Sequence, residues 1–370
     1  MSLATPSSAC HIKLGKPAKG KRASRKGAIE VDDAWSQSIS AATIAPDGSL
    51  WIATDEHSQL LRLARSGEDY LLKGVFPLEA FLDLPNRGEG EIDIEGLACD
   101  GQWLWLTGSH SRVLKMPPSG SANELEAVPK SLKLANAKTP ASRRLLARIP
   151  LSEEGISQRI KLKKKEKLTA AMLPVVRGET ELTEALKLDA HISPFISAGI
   201  PCKANGFDIE GLASVGGKVY LGLRGPVIDD WAMLLEIEPM AKSGGRLGLT
   251  PISSKGAPYR KIFLKLDGLG IRDLTMHGDT LYILAGPSMS LDGPVRVYAI
   301  PKFAKAAQKK AITLEPILHL PFGWKTDHPE AIVVIPGPKQ DRLLVICDNP
   351  GDERLKKSGS IRCELYALPK

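Results

Sequence analysis

Apolar and acidic residues alternate in one phrase that the chain uses twice. The copies are Glu91-Ile92-Asp93-Ile94-Glu95-Gly96-Leu97-Ala98 and Gly206-Phe207-Asp208-Ile209-Glu210-Gly211-Leu212-Ala213. A period of two predicts a strand, and the short Gly turn and second apolar run after each copy predict a hairpin. Two weaker relatives follow, Gly270-Ile271-Arg272-Asp273-Leu274-Thr275 and Asp327-His328-Pro329-Glu330-Ala331-Ile332. Residues 40 to 52 have the same shape without the acid.

Each phrase opens a run of short strands. The first unit reads as 39–44, 49–53, 59–63 and 77–84, with Pro46-Asp47-Gly48 as a turn. The second reads as 93–98, 103–107, 112–116 and 144–149; the third as 207–213, 218–223, 233–237 and 261–266. The fourth is 271–276, 280–285, 295–300 and 313–320, and the last has only three strands, 330–335, 342–346 and 362–367. Residues 150–205 break the rhythm and read as a partly helical insertion, with Leu182 and Leu186 on one side of a helix within 179–190. Glu210 to Asp273 is 63 positions and Asp273 to Glu330 is 57. A period near that length with four strands per unit predicts an all-β fold, a β-propeller. Five blades are expected, six if the insertion hides one. Residues 28–31 are the expected source of the missing outer strand.

Composition adds limits. With 43% apolar residues and 370 positions the chain is globular and long enough for a large core. No apolar run approaches the roughly 20 residues of a membrane span. Five scattered cysteines, Cys10, Cys99, Cys202, Cys347 and Cys363, form no Cys-x-x-Cys pair and read as free thiols in a reducing, cytoplasmic compartment. Seven of the net +8 charges lie between Lys13 and Lys26, with no acid among residues 1–28. The expected organisation is a disordered basic leader, 1–28, and one propeller domain, 29–370. A nearly neutral body makes nucleic-acid binding an expectation for the leader alone. Trp103 and Trp105 read as packing between blades.

In a propeller the first strand of each blade lines the axis, and the turns into that strand and after the second strand share one face. That face should collect Asp93, Glu95, Asp208, Glu210, Asp273, His328 and Glu330. Asp55, His57, His110, Arg224, Asp292, Asp348 and Asn349 join them from the turns, and the insertion should emerge there as a cover. Carboxylates crowded at an axis repel unless a cation, arginines or backbone amides compensate. Oxygen ligands favour Ca²⁺ or Mg²⁺ over zinc. The structural alternative is that the acids hold Arg224, Arg272 or backbone amides and keep the blades in register. Nucleotide-binding, lipase-type and zinc-protease motifs are absent from the sequence.

Phe207-Asp208-Ile209-Glu210-Gly211-Leu212, Leu221 to Pro226, Gly270 to Leu274, Ile283 to Pro294 and Asp327-His328-Pro329-Glu330 together resemble the uncharacterised bacterial domain family of unknown function 3616. The resemblance spans roughly residues 40–368 and implies a propeller without naming a reaction. A looser similarity runs to phytase-like esterase and gluconolactonase-like propellers, which implies Glu95 and Glu210 as metal ligands and Asp273 or Glu330 as ligand or base. The expected function is a Ca²⁺- or Mg²⁺-dependent hydrolase of an ester, lactone or phosphoester. Its metal ligands would be Glu95, Glu210 and Glu330, its general base Asp208, Asp273 or His328, and its ligand contacts Arg224, Arg272, Asp292, Asp348 and Asn349. The alternative is a propeller that binds a small polar or cationic ligand, or a protein, without chemistry.

Overall fold

The computed structural model describes residues 2–15, 33–85, 92–114, 133, 138–162, 166–337, 339–356 and 359–369. The fold is mostly β and propeller-like. An N-terminal strand, β1 (Ser8–Lys13), precedes a first antiparallel meander of β2 (Ile39–Ile44), β3 (Leu50–Thr54), β4 (Gln59–Ser66) and β5 (Asp69–Pro77). The second contains β6 (Ile94–Asp100), β7 (Trp103–Gly108), β8 (Leu146–Ser152) and β9 (Ala171–Met172). The third contains β10 (Asp208–Val215), β11 (Lys218–Gly225), β12 (Trp231–Ile237) and β13 (Arg260–Lys265), and the fourth β14 (Gly270–His277), β15 (Thr280–Gly286), β16 (Val295–Ile300) and β17 (Pro316–Leu320). The last has β18 (His328–Ile335), β19 (Arg342–Asp348) and β20 (Ser360–Ala367).

The first strands form a closed ring. β2 packs on β6, β6 on β10, β10 on β14, β14 on β18, and β18 on β2. The core is divided accordingly, because each sheet is apolar on both faces and must bury each against a neighbour. Trp51 and Leu60 of the first meander meet Leu104 and Ile149 of the second. Leu146 meets Leu221 and Met233, and Leu234 meets Ile283. Val297 meets Val345, and Ala331 and Ile346 close the circle on Ile52 and Leu61.

The ends of the chain join at β1. It runs antiparallel to β20 from Ser8↔Leu365 to Lys13↔Ser360, and parallel to β5 at Ile12↔Tyr70. Thus the outer strand of the last meander comes from the N-terminus, as expected, but from a different segment. The leader read as disordered through residue 28 is a strand at Ser8–Lys13; residues 16–32, including the segment 28–31 first chosen for this place, lie outside the described residues. The physical reason is alternation: Cys10, Ile12 and Leu14 are buried while His11 and Lys13 point outward. Asp69 pins the strand, accepting from His11 N at 2.9 Å and pairing with Lys13 Nζ at 2.6 Å.

The second meander differs from its sequence reading. Of the third strand expected at 112–116, residues 115 and 116 lie outside the described residues, and within 112–114 Val113 makes only a bridge to Lys138. β8 pairs directly with β7, and β9, from inside the supposed insertion, pairs with β8. The hairpin of Pro239–Lys242 and Arg246–Leu249 then extends this sheet through a parallel contact at Met172↔Arg246. The rest of the insertion carries α1 (Glu181–Leu186) and α2 (Ser193–Ser197). Thr180 and Thr183 form a reciprocal capping box at the start of α1, and Leu182 and Leu186 are fully buried, as the spacing predicts. Among the described residues no helix is long and apolar enough to cross a membrane.

If β1 closes the ring, emptying its buried face should loosen the whole molecule. Ile12→Ala should cost about 2–5 kcal/mol in urea unfolding. Leu3→Ala, at a side chain 59% exposed, should change stability by no more than about 0.5 kcal/mol.

Candidate functional site

One irregularity recurs in every first strand. The ladder between first and second strands slips at Ile39/Ala41, Ile94/Gly96, Ile209/Gly211, Ile271/Asp273 and Pro329/Ala331. Each slip is a bulge that leaves one residue unpaired and re-aims its side chain. The five residues so placed are Ser40, Glu95, Glu210, Arg272 and Glu330. They are equivalent positions of one ring near the start of the first strands. The glycine after a bulge permits close approach: a Cβ at Gly96 would meet Leu212 Cβ at 2.7 Å, and one at Gly211 would meet Leu274 Cγ at 2.7 Å.

This register corrects the sequence alignment at Asp273. The residue equivalent to Glu95 and Glu210 is Arg272, and Asp273 falls where the other strands have Ala41, Gly96, Gly211 and Ala331. Asp273 is fully buried. Its Oδ1 accepts from Leu274 N and its Oδ2 from Ile332 N, both at 2.7 Å. It therefore straps β14 to β18 and reaches no substrate, which removes it as a catalytic base or metal ligand.

Arginines occupy the interior of the ring. Arg224, from the end of β11, places Nη2 2.8 Å from Asp208 Oδ2 and Nη1 2.7 Å from Glu210 Oε1. Arg272 pairs bidentately with Glu330, with Nε 2.8 Å from Oε2 and Nη2 on Oε1. Its Nε is also 3.1 Å from Glu210 Oε2, yet that oxygen accepts no aligned hydrogen bond because the N–H points at Glu330. Arg143, which the sequence did not flag, pairs through Nη1 with buried Asp93 and reaches Ser111 Oγ at 3.2 Å.

The remaining expected residues divide. His328 and Asp292 come together, Nε2 to Oδ1 at 3.1 Å, and Asp292 Oδ1 also accepts Lys325 N at 3.1 Å. Asp348 and Asn349 sit beside them at the end of β19; Asp348 Oδ1 accepts Asn349 N at 2.8 Å, and Asn349 Nδ2 donates to Lys325 O at 2.6 Å. His57 is bonded to Thr54 Oγ1 at 2.8 Å and stacks on Trp35. His110 is buried with Nδ1 3.0 Å from Gly108 O, and burial pushes its pKa down to about 4. The end of the insertion crosses this mouth, with Cys202 N donating to Arg112 O at 2.9 Å and Ser290 N to Lys203 O at 3.3 Å.

Charge counting shows what is left over. Asp93, Glu95, Asp208, Glu210 and Glu330 are five carboxyls, and Arg143, Arg224 and Arg272 are three guanidiniums. Arg224 is shared between Asp208 and Glu210. Glu95, partly exposed, makes no hydrogen bond or ion pair among the described residues. Asp208 Oδ1 is buried without a partner. The two unbalanced groups hold protons tightly. Burial, then the charges of Asp93 and Glu210, push Glu95 well above the usual carboxylate range. Burial outweighs Arg224 and raises Asp208 to about 8.

The expected Ca²⁺ or Mg²⁺ site does not fit this donor set. Arg224 and Arg272 already hold the oxygens of Glu210 and Glu330, and a divalent ion among them would face two guanidiniums. Among the described residues no three His, Cys, Asp or Glu side chains are grouped to hold a metal ion. Glu95, Glu210 and Glu330 share one ring, as expected, but arginines supply its positive charge.

Comparison with known proteins gives one family. The family model described as Protein of unknown function (DUF3616) matches residues 38–364. No curated protein matches this chain. Among solved structures, YCF48 bound to D1 peptide is 8% identical with a TM-score of 0.32, covering 94% of this chain, which in turn spans 66% of that one. A proposed gluconolactonase is 11% identical with a TM-score of 0.38, covering 89% of this chain and 75% of its own. A proposed 6-phosphogluconolactonase of Bacteroides uniformis is 12% identical with a TM-score of 0.33, covering 87% and 80%. Likeness at this level transfers neither substrate nor mechanism.

The surplus protons give stability a pH signature. The folded chain binds protons at Asp208 and Glu95 more tightly than an unfolded carboxyl does, so this contribution is complete below the unfolded pKa, about 4. It should be lost as pH rises through the folded value, about 8 for Asp208. Urea midpoints should fall between pH 5 and 8.5. Asp208→Asn, which mimics the protonated acid, should show a flatter decline and so gain stability relative to the wild type as pH rises towards 8; an unchanged slope would contradict the assignment.

Proposed function

This chain belongs to the family of proteins of unknown function DUF3616, and we propose that its acidic ring is a hydrolytic site for a neutral ester or lactone, working with carboxyl and imidazole groups. In this reading the propeller has five blades, one for each first strand in the closed ring. The observation that carries the proposal is that the ring's mouth offers both an oriented imidazole, His328, and a carboxyl that keeps its proton, Glu95. His328 Nε2 is directed at Asp292, which leaves Nδ1 as the proton acceptor. Glu95 is the partly exposed carboxyl of the ring without a hydrogen bond or ion pair among the described residues, and burial makes it hold its proton above the usual range.

The chemistry follows from those states. His328 Nδ1 takes a proton from water as the water oxygen bonds to the carbonyl carbon. The carbon–oxygen bond to the leaving group then breaks, and the Glu95 carboxyl gives its proton to the departing oxygen. The products are a carboxylic acid and an alcohol, or one hydroxy acid from a lactone. Arg272 supplies positive charge to the ring in which negative charge develops. Asp208, 2% exposed, is too buried to serve as the base and instead helps set the local field. With three guanidiniums already engaged by the ring's carboxyls, none of them is spare to hold a phosphoester dianion.

A second reading is binding without chemistry, favoured by the same unpaired Glu95, whose carboxyl would hydrogen-bond a polar ligand. Turnover separates the two. With chelator present, a γ-lactone or p-nitrophenyl butyrate should be hydrolysed and p-nitrophenyl phosphate should not. Glu95→Gln and His328→Gln should each lower the rate by about 10²-fold or more. Glu181→Gln should not, because that side chain lies in the insertion and keeps the oxygen that accepts Leu249 N. No turnover of any ester or lactone would leave the binding reading; a requirement for added Ca²⁺ would overturn the metal-free one.

A further inference from the structure

The joint that closes the ring sets two cysteines face to face. β1 reaches the first meander through β5 and the last through β20, and in its antiparallel ladder with β20 Cys10 stands directly opposite Cys363. Opposite residues of such a ladder share one face of the sheet. Both side chains are buried there, Cys10 wholly and Cys363 at 2% exposure, among Ile12, Leu61, Tyr70 and Leu365. Cys347, on the neighbouring strand, is not a rival partner. The ladder between β19 and β20 ends at Val345↔Glu364, which sets Ile346 rather than Cys347 at the level of Cys363. Ile346 shares the core of Cys363, whereas Cys347 lies towards the charges of Arg354 and Asp327.

The backbone spacing fits a bridge. Leu14 N donates to Gly359 O at 2.8 Å, and stepping back two residues at a time makes Cys10 and Cys363 a hydrogen-bonded pair of the ladder. Such pairs hold their Cα atoms about 5.5 Å apart, inside the roughly 4.4–6.8 Å that a disulfide spans. Their Cβ atoms must close by about an ångström, so the bond is reducible rather than permanent. Burial keeps both thiols protonated, pushing Cys10 up to about 12 and Cys363 well above its usual value. Only a thiolate attacks a disulfide, so the pair is inert while β1 is docked. Asp69 is the clasp that docks it, through His11 N and Lys13 Nζ. We propose that Cys10 and Cys363 are a redox pair that forms a disulfide when β1 loosens, stapling the two ends of the chain together. The oxidant is a small-molecule disulfide. In the opened joint the Cys10 thiolate attacks it and expels one small thiolate. As β1 returns, the Cys363 sulfur displaces the second. One S–S bond breaks and one forms, and the two cysteine protons end on two small thiols. The loop so closed is almost the whole chain, where restricting the unfolded state has its largest effect. The bridge also holds the first meander, which carries Ser40, against the last, which carries Glu330, across the contact of β2 with β18.

The full chain, purified reduced, can be incubated with oxidised glutathione and its remaining thiols alkylated in denaturant. The five thiols should fall to three with no glutathione retained, and peptide mapping by mass spectrometry should recover Cys10 joined to Cys363. The melting midpoint should rise by at least about 3 °C and return when dithiothreitol is added without denaturant. Cys10→Ala should lose both the bridge and the rise, whereas Cys347→Ala should keep them. Asp69→Ala, which unclasps β1, should speed bridge formation at least about threefold. Five thiols surviving in both the wild type and Asp69→Ala would overturn the proposal. So would a bridge to Cys99, Cys202 or Cys347 in place of this one, an oxidised chain that melts no higher, or an Asp69→Ala rate equal to that of the wild type.

Discussion

A single β-bulge, repeated in each first strand, decides which side chains face the axis. Because strand side chains alternate, a slip of one residue exchanges the inward and outward sets. The bulge sends Ser40, Glu95, Glu210, Arg272 and Glu330 to one ring, and the small residue that follows lets neighbouring strands close on each other. The rest of the site is a response to that placement. Three carboxyls and one guanidinium at equivalent positions cannot balance alone, so Arg224 enters from the second strand to meet Asp208 and Glu210.

Arg272 changes the chemistry available to the ring. A carboxylate there would complete a set of oxygen ligands for a hard cation; a guanidinium binds two carboxylates itself and excludes that ion. Buried ion pairs of this kind add little net stability, since desolvation offsets the attraction, but losing one partner is costly. They therefore act as fixed geometry. Glu210 and Glu330 are committed to arginines, and the surplus falls on Glu95 and Asp208, whose protons stand in for missing cations.

The repeat, its strands and the convergence of acids on one face were legible because period-two alternation and turn residues are written locally. Gly211 could be read as a close-approach position, and its surroundings agree. The bulge could not be read, because an extra residue between Ile271 and Asp273 leaves no mark on composition; aligning acid with acid put Asp273 on the axis in place of Arg272. Arg143 was invisible for a related reason, as its link to Asp93 spans 50 positions with no local pattern. Cys10, Ile12 and Leu14 did carry an alternation, but lysine-rich neighbours hid it, so the closing strand was mistaken for part of a solvated leader. β9 was missed because two residues carry no periodicity, and only pairing with β8 defines them.

The central claim is that the ring holds committed carboxylates and one spare. Comparing the melting midpoints of Glu95→Gln and Glu210→Gln, side by side at one pH near 8 and without metal, tests it most directly. Glu210→Gln should lower stability by about 1–3 kcal/mol, because Arg224 and Arg272 each lose a buried partner. Glu95→Gln should leave stability unchanged or raise it, because Glu95 makes no hydrogen bond or ion pair among the described residues and burial and its acidic neighbours disfavour its charge. Equal losses in the two variants, or a loss confined to Glu95→Gln, would contradict the account.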